Sequence, residues 1–516
     1  MTTLDLTIIV LYLLFITWRG FRTRNDYKTT DDFFLAGRSL SWPLIGLSLY
    51  ATNISITSII GLSASGYETG ISVFNYEWTG TIMLLIFAVF IVPFYLRHKL
   101  TTMPEFLGRR FDDRSRYYFS VISITMNIFV DIAGALFASS VMLKGIFPQV
   151  ELYVFVFIMA VVTGLYTVAG GLRAVVTTDT IQAILLTLGS AIVAVVAFNQ
   201  IGSWEEVRSS IDTNFLSLIQ PVDDPFIPWP TLIISLPILG FYFMCSNQHM
   251  VQRVLGADSL ENGRKGAIFA GFLKLPLLFI MVLPGTLALI LYPDIENSNL
   301  VFPELIFDLI PAGVLGLILT GFIAALMSSI DSALTASSSI ATMDIYKKFR
   351  PESSQKKLIR TGRIFILIAV GIASVWAPFI DQFPTLWEYL QAVLSYLSPP
   401  VVTCYLFGMF WKRASADGAF YSLVFGSVLA GVLVINNYFF TILFSFHYLY
   451  SATIIFGFSS FVMVMVSLLS PDEEISSIFS SDDSTEIVES IPWYKSHKFF
   501  ALIVLLMTIV VVYKFW

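Results

Sequence analysis

The stretch WPLIGLSLYATNISITSIIGLSAS, residues 42–65, is long enough to cross a bilayer, yet its middle carries Thr52, Asn53, Ser55, Thr57 and Ser58. In hydrocarbon each unpaired polar group costs several kcal/mol, so hydroxyls and an amide at mid-depth are tolerated where they line a cavity or hold an ion. Discontinuous membrane helices of this kind expose backbone carbonyls to small cations.

The chain around this stretch reads as a protein whose solvent is the membrane. Hydrophobic residues make up 56% against 13% charged, and mean hydropathy is +0.78. Apolar stretches of about 17 residues or more recur from end to end. They lie near 3–19, 42–65, 75–97, 117–145, 151–171, 177–200, 231–254, 265–293, 308–345, 360–379, 386–411, 417–437, 445–470 and 497–515. This pattern predicts an all-α polytopic membrane protein with about fourteen transmembrane helices. The stretch 308–345 exceeds one straight span, so a bend or exit is expected near Ser337 to Ser339.

Positive charge supplies an independent check, because Lys and Arg concentrate on the cytoplasmic side. With the N-terminus outside and strict alternation, 26 of the 30 basic residues fall in inward loops. Both termini are therefore expected outside. The basic residues of the first segment follow its apolar run, so it does not read as a cleaved signal peptide.

Several function classes drop out. No loop is long enough for a soluble catalytic domain, no glycine-lysine phosphate loop appears, and a pI near 5.3 offers nucleic acid no basic surface. An enzyme is not indicated. Cys245 and Cys404 lie inside predicted spans and read as buried thiols. The acidic, serine-rich stretch 471–496 reads as a solvated inner linker.

What remains is a short set of ionisable groups inside the membrane, where such residues are rare and mark function. They are Glu77, Asp131, Asp179, Lys274, Asp331 and Glu388. Lys274, in GFLKLPLLFIMVLPG, needs an oxygen partner or a polar cavity, unless its stem snorkels to the interface. Glu77, in NYEWTG beside Tyr76, reads either as a site residue or as an interfacial carboxylate. On the 308–345 stretch, Ala325, Ser328, Ser329 and Ser332 share one helical face. Adjacent hydroxyls with carbonyl oxygens make a hard, charge-poor cage suited to a monovalent cation, although small residues also serve close helix packing. Asp331 lies at the edge of that face.

These residues carry a resemblance. DDFFLAGRSLSWPLIGLSLYATNIS (31–55), TVAGGLRAVVTTDTIQ (167–182), NQHMVQRVLGA (247–257), LKLPLLFIMVLPG (273–285), AALMSSIDSALTASSSIATMDIYKK (324–348), YLQAVLSYLSPP (389–400) and GMFWKRASADGAF (408–420) resemble, in order, the blocks of the sodium/solute symporter family. The likeness is to its sodium/glucose and galactose branch. It implies a leucine-transporter-type 5+5 inverted-repeat core, with repeats at about 42–200 and 231–411 inside a core of 31–435. Outside that core, 1–30 would be a first helix and inner loop, 436–470 an accessory helix and 497–516 the last helix.

The resemblance also implies roles. Sodium would sit on the carbonyls of Ala51, Ile54 and Ala325 and the hydroxyls of Ser328 and Ser329. Substrate would meet Glu77, Lys274 and Gln391, with Ser58 and Tyr76 nearby and Phe243 and Met244 at the inner gate. The branch's tyrosine and tryptophan at that gate are here Phe243 and Met244, and an asparagine of the galactose pattern is Gly240. The particular sugar is therefore open. Asp179 and Asp331, with Ser328 and Ser332, would form a second cation site, or else serve as structural hydrogen-bonding groups. The expectation is a sodium-coupled importer of a neutral sugar or polyol in a plasma membrane, by its short loops a bacterial inner membrane. A symporter of an anionic solute such as sialic acid is the alternative.

Overall fold

A computed structural model of the chain describes residues 2–22, 29–147, 149–169, 172–383, 385–438, 447–471 and 492–516. Each of the fourteen apolar stretches is helical there, and among the described residues no β-strand occurs beyond two isolated bridges. Among the described residues, ten helices are long and apolar enough to cross a membrane, or eleven when the bent pair Leu260–Lys274 and Leu278–Leu291 counts as one span. Their outer surfaces carry exposed apolar side chains such as Leu188, Val195, Val375, Phe461 and Val510. In a bilayer that surface faces acyl chains. The acidic linker lies outside the described residues except at its two ends.

Basic side chains bind several loops to one another. Arg38 donates to the carbonyls of Lys99, Leu100 and Leu255. Arg110 donates to Gly408 and Trp411, and Lys348 meets Asp113 at 2.8 Å. Arg116 meets the buried Asp344 at 2.5 Å. Elsewhere, Tyr67 donates to the carbonyls of Tyr292 and Pro293. Asp5 accepts from the N–H groups of Gly313 and Gly316, and the Leu218 N–H donates to Phe515. The N-terminal helix is thereby tied to the turn before Val314, and the C-terminus to the loop at Leu218.

Two helices are broken at mid-length. The first runs Trp42–Asn53, unwinds at Ile54 and Ser55, and resumes at Ile56–Thr69. The second runs Ser235–Phe241, passes through a π-helical turn at Tyr242–Ser246, breaks at the extended Asn247 and resumes at Gln248–Leu255. Residues 231–254 were expected as one span, and Asn247 divides it. One broken helix lies in each of the stretches 42–200 and 231–411.

The bent pair cradles the first broken helix. A Cβ on Gly266 would stand 2.5 Å from Ile45, and one on Gly285 would stand 2.0 Å from the Ser63 carbonyl. Only glycine allows that approach, so both halves of one element lock against both halves of the other. Their breaks face each other, and Lys274 ends the first limb of the bent pair.

One boundary differs from expectation. The long helix begins at Val314, because Val301–Leu309 is a separate helix followed by a turn, and it runs unbroken through Ser337 to Ser339. Those three serines are buried, where leaving the helix would strand backbone groups. The irregularity comes one step later, as a π-helical turn at Ala341–Tyr346.

Candidate functional site

The breaks, the bend and the long serine helix surround one central cavity. Ser58, Tyr76, Glu77, Phe243, Met244, Lys274, Ser329 and Gln391 all line it. Sequence reasoning thus brought together residues spread over more than half the chain.

Lys274 and Glu77 form the centre of its chemistry. They are 1% and 4% exposed, and the ammonium stands 2.5 Å from Glu77 Oε2. Lys274 also donates to the Asn53 side-chain oxygen. Snorkelling and interfacial placement are thereby excluded. Asn53 ends the first half-helix, whose carbonyl end carries partial negative charge and favours a cation beside it. An ion pair removed from water holds only if its remaining bonding capacity is met, and the cavity leaves room for a ligand to meet it.

Around the first break, hydroxyls replace the missing helical bonds. The Ser55 hydroxyl accepts from the Ser58 N–H at 3.4 Å, and the Ser58 hydroxyl donates to the Asn53 carbonyl at 2.7 Å. The Ser55 and Thr57 hydroxyls bond each other. A helix that stops at Asn53 releases its last carbonyls, among them Ala51. The helix Val314–Ile340 packs against both halves of this break. On it the Ser329 hydroxyl donates to the Ala325 carbonyl at 2.8 Å, so two of the oxygens expected to hold sodium are already adjacent. The side chains of Ser328 and Asp179 lie outside the described residues.

The other members of the expected second cation set have identified partners. The Thr167 hydroxyl donates to Asp331, and the guanidinium of the fully buried Arg253 donates to Ser332. A fixed positive charge on Ser332 lowers the attraction of that hydroxyl for a cation.

Above the cavity lies an aromatic roof. Tyr76 packs edge-on against Trp387 with ring centroids 5.7 Å apart, and its hydroxyl lies 3.1 Å from that of Tyr448. Tyr76 and Trp387 also line a second, outer cavity with Glu68 and Glu388, so they form the partition between the two spaces. Tyr448 comes from a helix beyond the expected repeats. Gly240 faces the cavity, where a Cβ would meet Met83 at 2.9 Å, so a larger side chain there requires Met83 to move.

Two contributors were named in the sequence without their roles, and two were not named. Asn53 was visible among the polar residues of the break, but its pairing with Lys274 was not. Asp131 was visible as an intramembrane carboxylate without a partner. His249 and Trp387 carried no signal, because a histidine after a cap and a tryptophan in an apolar run are ordinary.

Fold and cavity define a polytopic helical transporter of the broken-helix type. The chain belongs to the sodium:solute symporter family, whose model matches residues 33–426. It is 35% identical over 522 residues to the rabbit (Oryctolagus cuniculus) sodium/glucose cotransporter 1, covering 90% of this chain and 78% of that protein. It is 33% identical over 546 residues to the rabbit sodium/myo-inositol cotransporter 2, covering 95% and 79%. An outward-open, substrate-bound structure of a sodium-coupled sialic acid symporter superposes with a TM-score of 0.80 at 21% identity, over 92% of this chain and 99% of that one. At that identity the superposition speaks to the fold.

Proposed function

We propose that the protein couples inward sodium flow to the uptake of a neutral sugar or polyol by alternating access. The observation that carries this reading is the charge balance of the cavity. Its lysine is already neutralised by Glu77 at 2.5 Å, and the remaining lining carboxylate is Asp131. Among the described residues no surplus positive charge lines the cavity for an anion to meet, so a carboxylate substrate is disfavoured. A polyol suits these groups, because each hydroxyl both donates and accepts and bonds to charged partners are the strong ones. The sugar and inositol cotransporters among the relatives agree with that chemistry.

Sodium would bind between the carbonyls of Ala51, Ile54 and Ala325 and the hydroxyls of Ser328 and Ser329, pinning the first break against the serine helix. Ser329 also lines the substrate cavity, so one ion stabilises the form that substrate prefers. The coupling is reciprocal: sodium raises substrate affinity by the factor by which substrate raises sodium affinity. An inside-negative potential adds about 2.3 kcal/mol per charge per 100 mV. Phe243 and Met244 would close the inner side, and Tyr76, Trp387 and Tyr448 the outer side. A second sodium at Asp179 and Asp331 completes the proposal, with Ser332 withdrawn to Arg253. A sodium Hill coefficient above one that falls in Asp331→Ala supports it, and a coefficient of one in both proteins removes it.

The protein would work in a plasma membrane, by its short loops a bacterial inner membrane, with both termini outside. The test is uptake into proteoliposomes of labelled glucose, galactose, myo-inositol and sialic acid under an inward sodium or potassium gradient. Accumulation of a neutral sugar or polyol only with sodium is expected. Accumulation of sialic acid alone, or equilibration without sodium dependence, overturns the reading.

A further inference from the structure

The cavity contains a second polar pair, on helices other than those that carry Asn53, Glu77 and Lys274. Asp131 Oδ2 stands 3.5 Å from His249 Nδ1. His249 is 4% exposed, and its Nδ1 is buried with no hydrogen-bond partner. The two groups face each other across a gap without closing it. Buried polar atoms are nearly always bonded, so an unmade bond at a ligand cavity points to a group that arrives from outside.

Both residues are placed by irregular backbone that the fold maintains. Asp131 lies in a π-helical turn, Asn127–Ile132, and such turns re-aim side chains and recur at functional sites. The turn is pinned by the Asn127 amide, which donates to the Ser337 hydroxyl at 3.0 Å. His249 is the second residue of the helix after the Asn247 break, with its own N–H donating to Asn247 Oδ1 at 3.1 Å. The edge of Phe243 steadies its ring, at 5.4 Å between centroids.

We propose that Asp131 and His249 form a second hydroxyl-recognition pair, completed when one substrate hydroxyl donates to the carboxylate and accepts from the imidazole Nδ1–H. This rests on the sugar or polyol reading and extends it to two residues to which that reading gives no substrate contact. A hydroxyl is the group that satisfies a facing acceptor and donor at once. A substrate carboxylate has no proton to give and meets the Asp131 charge, so the same pair that selects a polyol rejects an anion. Glu77, Lys274 and Gln391 would then read one part of the substrate, and Asp131 and His249 another.

The experiment measures KM in proteoliposomes for glucose, galactose, myo-inositol and their monodeoxy analogues. The proteins compared are the wild type, Asp131→Asn, His249→Leu, His249→Asn and Glu77→Gln, with thermal unfolding in detergent as the folding check. The wild type is expected to disfavour one deoxy analogue by roughly tenfold, the worth of one charge-assisted bond. Asp131→Asn and His249→Leu should raise KM for the parent substrate by a similar factor and erase discrimination at that hydroxyl alone. Glu77→Gln should erase it at a different hydroxyl, and His249→Asn, which keeps a donor near the Nδ1 position, should retain it. Parallel shifts for every analogue, or an unchanged profile in folded variants, overturn the proposal while leaving sugar transport intact. A wild-type protein that accumulates no neutral sugar or polyol overturns the underlying reading first.

Discussion

The two broken helices interrupt their backbone with different chemistry, and the difference matches two different cargoes. At the first break the groups that replace helical bonds are the hydroxyls of Ser55 and Ser58, and the result is a cluster of oxygens beside the serine helix. At the second, one amide side chain caps the new helix and a π-helical turn precedes it, which turns Phe243, Met244 and His249 toward the cavity. Oxygen-rich unwinding suits an ion that needs a hard, nearly neutral cage. Amide-capped unwinding delivers rings and an imidazole to a molecule that has faces and hydroxyls.

The comparison breaks most visibly at the ion pair that lies against the first break. Lys274→Met leaves Glu77 buried without its partner, which costs about 3–5 kcal/mol. Uptake should be lost and thermal unfolding in detergent should move down. Adding Glu77→Gln should recover the unfolding temperature and leave uptake absent; recovered uptake would mean that the pair holds the fold and does not touch substrate.

A smaller, more selective effect is expected at the ion cage. Ser329→Ala should raise the sodium concentration for half-maximal uptake by roughly tenfold, the scale of a lost oxygen ligand, while expression stays near wild type. An unaltered sodium requirement would count against the assignment of the cage.

Removing one cap from each break sharpens the contrast. Ser55→Ala and Asn247→Ala should each cost about 1 kcal/mol of local helix stability. The first variant should weaken sodium affinity, and the second should weaken substrate affinity at saturating sodium. If both shift the same parameter, the division of labour between the breaks is wrong.

The smallest effect belongs to the roof. Tyr448→Phe removes the hydroxyl that lies 3.1 Å from Tyr76, a neutral, part-buried bond worth about 1 kcal/mol. Substrate efflux from loaded vesicles should quicken about twofold to fivefold, with the sodium requirement unchanged.

The asymmetry between the breaks also explains what was legible in the chain. Thr52, Asn53, Ser55, Thr57 and Ser58 interrupt an apolar run, and apolar runs are what membrane sequence reports, so the first break can be read directly. Tyr242 to Ser246 stay largely apolar into the second break, and a π-helical turn adds a residue without changing composition. The Lys274 requirement for an oxygen partner was legible from its burial in hydrocarbon, and Glu77 supplies it. The neighbours of Asp131, Asp331 and Ser332 were not, because His249, Thr167 and Arg253 approach them from other helices and helical periodicity carries no record of which faces meet. The long serine stretch misled for a related reason: a run of hydroxyls reads as polar, yet Ser337 to Ser339 are buried inside a continuous helix.

The central claim is that an ion at the first break and a polyol in the cavity stabilise one another. The direct measurement is calorimetric binding to the purified protein of whichever sugar or polyol it accumulates, in sodium and in potassium, for the wild type and Ser329→Ala. Substrate Kd should be lower in sodium by tenfold or more in the wild type, with most of that difference gone in the variant. Equal Kd values in sodium and potassium for the wild type would contradict the claim.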